Sequence, residues 1–350
     1  MNSMKSRADA TDGEELMKTG FRLPITAASI AFASCLATTA LAQGFVMKFG
    51  TATVNDPQHE YIKIYKEEIE QRSGGRIKVE IYPQSQLGPI PRQLEGLQLG
   101  TIEGFIGPAD FYVGVDKRFG VFSAPILFRD MTNAAATLAD PELNQAILAL
   151  GSDKGYVGLG TFAYAQHDYM AKDPIRTFAD FKGKKIRVNA TPLEREAMAR
   201  LGATASPMPL NEVLPALQRN VIDGTRSGLS VFVTLKYQDV SKVVTVTNDT
   251  MLVPLATVSK VWFDKLPADL QKAVVDAGRA AQIRNQKFTL DFNAQMPKRW
   301  AEVGGELFVL PDAERQKLVA ALKSVGDDVT KDDPPVKAFF ERVRAAAAKN

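Results

Sequence analysis

The segment from Gly183 to Ser227 constrains this chain more than any other. It opens as GKKIRV, a short basic strand that carries Arg187 at its end, and continues TPLEREAMARLGA and then SPMPLNEVLPALQRNVIDG. Thr191 reads as a helix N-cap, Pro192 as the first helical residue, and Glu194 as the second half of a capping box. Gly202 stops that helix at the usual left-handed position. The order is strand, arginine, turn, helix. It fixes one guanidinium at a strand end, beside a helix start that carries partial positive charge. Such a site suits a carboxylate, because the guanidinium fork binds both oxygens at once. The sequence sets no nucleophile, base or metal cluster beside it, so the simplest chemistry is capture of an anion without reaction.

The surrounding pattern is α/β. Met47 to Thr51 reads as an opening strand, and Tyr61, Tyr65 and Ile69 recur every four residues, which predicts an amphipathic helix over 58–72. Ile77, Val79 and Ile81 alternate with charged residues as a half-buried strand. A helix at 91–99, a strand at 101–106 and the loop from Gly107 to Tyr112 follow. Strands alternating with helices predict a largely parallel sheet, with ligands beyond the carboxyl ends of its strands. The pattern changes near residue 155, where a strand rich in Gly and aromatics leaves the first unit. A second α/β unit runs from Lys182. Strands at 242–247 and 251–259 lead back, and Pro267 to Val303 is one long helical pattern that can reach across both units. The tail from 311 to 349 is helical and rich in Ala and Lys.

Composition supports a folded chain of 350 residues, 45% hydrophobic and 24% charged. A net charge of +3 with no basic run argues against nucleic acid. Residues 17–22 are basic, an apolar run follows to Ala40, and Ala40-Leu41-Ala42 is a small-x-small cleavage site. Residues 1–42 are therefore expected to be a signal peptide, with 1–16 as an upstream extension, and the mature chain is expected in the periplasm. The single cysteine, Cys35, falls inside this leader, which leaves the mature chain no thiol chemistry and no cysteine metal site.

Several stretches together are similar to the DctP-type solute-binding proteins of TRAP (tripartite ATP-independent periplasmic) transporters. They are KFGTAT at 48–53, GGRIKVEIYPQSQLG at 74–88, LEGLQLGTIEG at 94–104 and APILFRD at 124–130. Further on come KDPIRTFADFKGKKIRV at 172–188, LGATASPMPLNEVLPALQRNVIDG at 201–224 and WFDKLPADLQKAV at 262–274. The likeness spans 46–310. It implies a two-lobe periplasmic binding protein fold, type II-like, with crossing hinge strands and a long helix bridging both lobes. The lobes are expected at 43–164 plus about 252–290, and at 165–251 plus about 291–350. It implies a small organic acid between the lobes, delivery to DctQ/DctM-type membrane subunits, no cofactor, and a monomer or a homodimer. A binding protein for an ABC transporter or a sensor kinase is the alternative, followed by a periplasmic hydrolase or isomerase using His167.

The resemblance makes Arg187 the carboxylate anchor, places Ser227 where the family has a ligand-contacting asparagine, and puts Leu210 where an aromatic or apolar side chain precedes the next helix. The family's second arginine is absent from Tyr164–His167. Arg226 either replaces that charge, which fits a dicarboxylate or a keto acid, or pairs with Asp223 or Asp239. Gln166 and Asn211 are neutral polar candidates, and Phe111 and Tyr112 are either pocket wall or core. His59 and His167 lack metal-ligand spacing, and no GxSxG elbow supports a hydrolytic triad. His167 is expected as a neutral hydrogen-bonding group and His59 as a helix-start residue.

Overall fold

The computed structural model describes residues 44–189 and 191–350. The leader, the upstream extension and Cys35 lie outside the described residues.

The chain opens with β1 (Phe45–Thr51), α1 (Pro57–Arg72), β2 (Ile77–Tyr82), α2 (Ile90–Leu99) and β3 (Gly104–Pro108). The third strand starts later than its sequence predicts, because Gly100 adopts φ 73° as the left-handed cap of α2 and Thr101 still bonds back to Gly96. Next come α3 (Met131–Ala139), α4 (Pro141–Ala149), β4 (Tyr156–Thr161), β5 (Ala165–Ala171), β6 (Lys185–Val188), α5 (Pro192–Arg200) and β7 (Thr204–Pro207). Then α6 (Leu210–Gln218), β8 (Gly224–Gly228), α7 (Leu229–Thr234), β9 (Val243–Val246), β10 (Met251–Leu252) and β11 (Pro254–Ser259) follow. The chain closes with α8 (Lys260–Phe263), α9 (Ala268–Glu302), β12 (Glu306–Val309), α10 (Asp312–Leu322), α11 (Val325–Thr330) and α12 (Pro334–Lys349).

Two sheets form. The first has five strands in the order β2-β1-β3-β11-β4, and the second has seven, β12-β9-β5-β8-β6-β7 with β10 against β5. Neither is purely parallel. In the first, β11 runs antiparallel to β3 and β4; in the second, β5 runs antiparallel to β8, β9 and β10. The reason lies in the crossings. Strands β5 and β11 arrive directly from the other lobe rather than through a helical crossover, so no βαβ unit forces them parallel.

Helix α9 holds the crossing segment in place. With 35 residues it is about 52 Å long, and it continues through Pro297. A Cβ on Gly278 would come within 2.6 Å of the Leu159 carbonyl, so only glycine lets the helix lie this close on β4. Along the helix, Gln282 accepts from the Thr161 amide at 3.0 Å and Gln286 from Ala163 at 3.1 Å, and Asn293 donates to the Tyr164 carbonyl at 2.7 Å. Its start puts Leu270 into one apolar cluster with Tyr61 and Tyr65, and its end puts Trp300 into another with Val213, Phe232 and Val244. The C-terminal helices clasp both lobes: α10 and α11 pack on α5, while α12 packs on α3 and the turn at 117–123. Among the described residues no helix is long and apolar enough to cross a membrane.

Candidate ligand-binding site

Arg187 leaves the second sheet at the end of β6 and is 4% exposed. Its Nε and Nη2 both donate to the Met208 carbonyl, at 3.0 and 2.9 Å. Among the described residues no carboxylate lies within 4.0 Å of it. Burial pushes its pKa below the usual arginine value; a guanidinium is not deprotonated in proteins, so the cation persists.

Arg226, in β8, is 1% exposed and sits differently. Register pairs Arg187 with Thr225, so Arg226 leaves from the opposite face of the sheet, the face that carries Tyr169. The sequence offered Asp223 and Asp239 as its partners; the structure replaces both. Asp223 instead accepts from the Lys185 amide at 2.7 Å. Nη1 of Arg226 donates to Glu194 Oε1 at 3.4 Å, Nη2 lies 3.9 Å from Asp249 Oδ1, and the guanidinium carbon sits 5.9 Å from the Tyr169 ring centre. Burial opposes its charge, but Tyr169, Asp249 and Glu194 raise its pKa above the ordinary value.

This corrects the capping box. Thr191 does cap α5, its Oγ1 accepting from the Glu194 amide at 3.1 Å. The Glu194 carboxylate, however, turns away to Arg226, because a buried guanidinium outcompetes a backbone amide for a carboxylate. Burial, and then the Asp110 charge, push the Glu194 pKa up to about 7. Asp110 comes from the 3-10 turn after β3 in the first lobe. It accepts from Ser123 and, at 2.6 Å, from Asn189 Nδ2 at the end of β6, so this bond ties the two lobes together. Burial raises its pKa too. Asp249 accepts from the Tyr169 hydroxyl at 3.0 Å and from Thr247 Oγ1 at 3.3 Å.

His167 shares the Arg226 face. It is buried, and neither ring nitrogen has a partner. Burial, then the charges of Arg226 and Arg187, hold its pKa well below the usual histidine value. A neutral imidazole presents one donor and one acceptor. Nε and Nη2 of Arg226, Oε2 of Glu194 and Oγ1 of Thr250 are likewise buried without partners. Buried polar atoms are nearly always paired, so this concentration of orphaned groups marks a place built for something polar. His59 lies elsewhere, its Nδ1 accepting from the Asn55 amide at 3.1 Å.

A cavity of about 440 Å³ lies between the lobes. Ala52, Gln84 and Ser85 line it from the first, and Leu210, Asn211 and Tyr237 from the second. Arg187 grips the Met208 carbonyl, two residues before the cavity-lining Leu210, so the anchor arginine and this cavity adjoin. The remaining sequence candidates do not line this cavity. Gln166 alternates with His167 and lines a separate cavity of about 330 Å³ with Asp168, Asn248 and Asn293. Ser227 is buried and paired with Asp168 across the β5–β8 ladder. Tyr112 points into the core, where its hydroxyl meets Thr257 Oγ1 at 2.8 Å, and Phe111 packs half-buried against that same core. Asp110, between them and Pro108, is the residue of that loop that reaches the cleft. Asp110, Asn189, Asp249 and Tyr237 were not singled out from sequence, and Glu194 was read only as a capping residue. Among the described residues there is no His, Cys, Asp and Glu cluster that could hold a metal ion.

The model of the bacterial extracellular solute-binding protein family 7, the DctP family, matches residues 49–333. The chain belongs to that family. A solute-binding protein of Verminephrobacter eiseniae is 31% identical over 83% of this chain and 86% of its own length. The C4-dicarboxylate-binding periplasmic protein of Rhodobacter capsulatus is 33% identical over 71% and 76%. The 2,3-diketo-L-gulonate-binding periplasmic protein of Escherichia coli is 29% identical over 82% and 88%. Among solved structures, a TRAP periplasmic solute-binding protein of Shewanella oneidensis with bound succinate is 27% identical. It superposes with a TM-score of 0.81 over 87% of this chain and 99% of that one. This DctP-family chain therefore shares the two-lobe architecture of TRAP solute-binding proteins.

Proposed function

We propose that this family 7 protein is a periplasmic solute receptor that closes on a small organic acid and delivers it to TRAP membrane subunits of the DctQ/DctM type. The leader read at 1–42 would carry it across the inner membrane, and the lobe boundaries are those read at the crossings near 164–165 and 251–252. The observation that carries the reading is Arg187. It is a buried cation whose fork is steadied by a neutral carbonyl and not neutralised by an acid, next to a cavity that both lobes line. A buried charge without an acidic partner is costly, and an incoming carboxylate is what offsets it. Arg187 holds the carboxylate from the second lobe; the first lobe then covers it, and Asp110–Asn189 fastens the closed form. Ligand shifts the open–closed equilibrium by its stronger binding to the closed state.

The protein does no chemistry on its ligand in this reading. His167 has no carboxylate hydrogen-bonded to its ring to orient it as a general base, and its burial beside two arginines keeps it a poor one. Relatives named for diketogulonate and for C4-dicarboxylates match at 29% and 33% identity, so kinship alone does not choose the acid.

A thermal-shift panel of mono-, di-, keto- and sugar carboxylates tests this. A ligand at about 100 times its Kd adds about 2.7 kcal/mol of stability. A shift abolished in Arg187→Ala is the expected result. A shift that survives Arg187→Ala refutes the anchor, and turnover of the bound acid refutes the receptor reading.

A further inference from the structure

The buried charges of the cleft do not balance in favour of an anion with two carboxylates. Arg187 and Arg226 are the cations. Glu194 and Asp249 flank Arg226 at 3.4 and 3.9 Å, and all three groups are 1% exposed or less. Asp110 is buried as well, and its charge acts on both arginines. At a pH where Glu194 and Asp110 are ionised, two cations thus face three carboxylates before any ligand enters. Each unmatched buried charge costs several kcal/mol, and like charges brought together cost as much again. Meanwhile the orphaned nitrogens of neutral His167 offer one donor and one acceptor, and Nε and Nη2 of Arg226 offer further donors, on the face that carries Arg226. Those suit a hydroxyl or a carbonyl, which needs no counter-charge.

We infer that Glu194 sets the specificity of this cleft: by engaging Arg226 it confines the site to an acid with one carboxylate, held by Arg187, plus neutral hydroxyl or carbonyl groups in place of a second carboxylate. The inference rests on the organic-acid reading above and narrows it to a ligand class. Of the two ligand types that Arg226 suggested in the sequence, it keeps the keto acid and drops the dicarboxylate. Glu194 acts through Arg226, without touching the ligand carboxylate itself.

Calorimetric titration of the full protein with matched probes at pH 8 tests it: succinamate against succinate, and galactonate against galactarate. The member with one carboxylate is expected to bind tighter on the order of 10-fold or more. Glu194→Gln, which keeps the shape and removes the charge, is expected to shrink that preference about 10-fold by releasing Arg226. A wild-type preference for either diacid, or a preference unchanged in Glu194→Gln, overturns the inference and leaves the organic-acid reading intact. Binding of no probe, and no thermal shift from any carboxylate, removes both. If Glu194→Gln does not fold, the charge-neutral pair Glu194→Gln/Arg226→Gln serves. It should bind the better monocarboxylate within about threefold of wild type, and a larger loss overturns the inference.

Discussion

Arg187 and Arg226 sit on neighbouring strands of one sheet, exposed by only 4% and 1%, yet their surroundings are opposite. Arg187 is steadied by a peptide carbonyl, which orients the fork without cancelling its charge. Arg226 is enclosed by Glu194, Asp249 and the face of Tyr169, which use its charge inside the protein. A buried arginine without an acid is held ready for an outside anion. A buried arginine with two acids is part of the fold, and it shapes the ligand by what it withholds.

The sharpest way to break this contrast is to remove each guanidinium in turn. Arg226→Gln leaves Glu194 and Asp249 buried without a cation, and chemical denaturation should show a loss of about 3–5 kcal/mol at pH 8. Arg187→Gln should cost on the order of 100-fold in affinity for the acid that the panel identifies, measured by calorimetry. Its ligand-free stability should fall by less than that of Arg226→Gln, because only the Met208 carbonyl loses a hydrogen-bond partner and, among the described residues, no carboxylate lies within 4.0 Å. If the two variants exchange these phenotypes, the roles assigned to the arginines are reversed.

Asp168 tests the same logic with the opposite charge. It accepts from the amides of Thr247 and Asn248 at 3.0 and 3.3 Å, yet burial, then the Asp249 charge, lift its pKa to about 7. A carboxyl with a raised folded pKa contributes stability that is complete below its ordinary pKa near 4 and is lost as pH rises towards 7. Asp168→Asn retains an oxygen for those amides and should therefore stabilise the protein by about 2 kcal/mol more at pH 8 than at pH 5, read from denaturant melts at both. An equal effect at both pH values would mean that Asp168 is ionised throughout. The smallest effect is expected at His167, where Gln preserves one donor and one acceptor. Affinity should fall about threefold, with the same ratio at pH 6 and pH 8 because the imidazole stays neutral across that range.

Local periodicity carried most of the elements. The helix at 58–72, the strand at 77–81 and the long helix at 267–303 fall within a residue or two of α1, β2 and α9. Arg187 was legible because strand, arginine, Thr-Pro and helix are contiguous, so their relation is set by local geometry. Glu194 was visible only as a capping residue. Its true partner lies 32 positions away, and no local pattern reports a contact of that range. Gln166 and His167 were read together as neighbours, but adjacent strand residues point to opposite faces, and the fold sent one to the Arg226 side and the other to a separate cavity.

The sequence by itself determined the α/β alternation, the long bridging helix, the family and the arginine at a strand end, all of which follow from spacing along the chain. Tertiary structure alone decided which way the crossing strands run, that Asp110 of the first lobe reaches Asn189 of the second, and that Glu194 and Asp249 match the charge of Arg226. The physical reason is that a charge acts through space. Whether a buried arginine is free to hold a ligand depends on which carboxylates the fold brings within a few ångströms of it, and those come from distant parts of the chain.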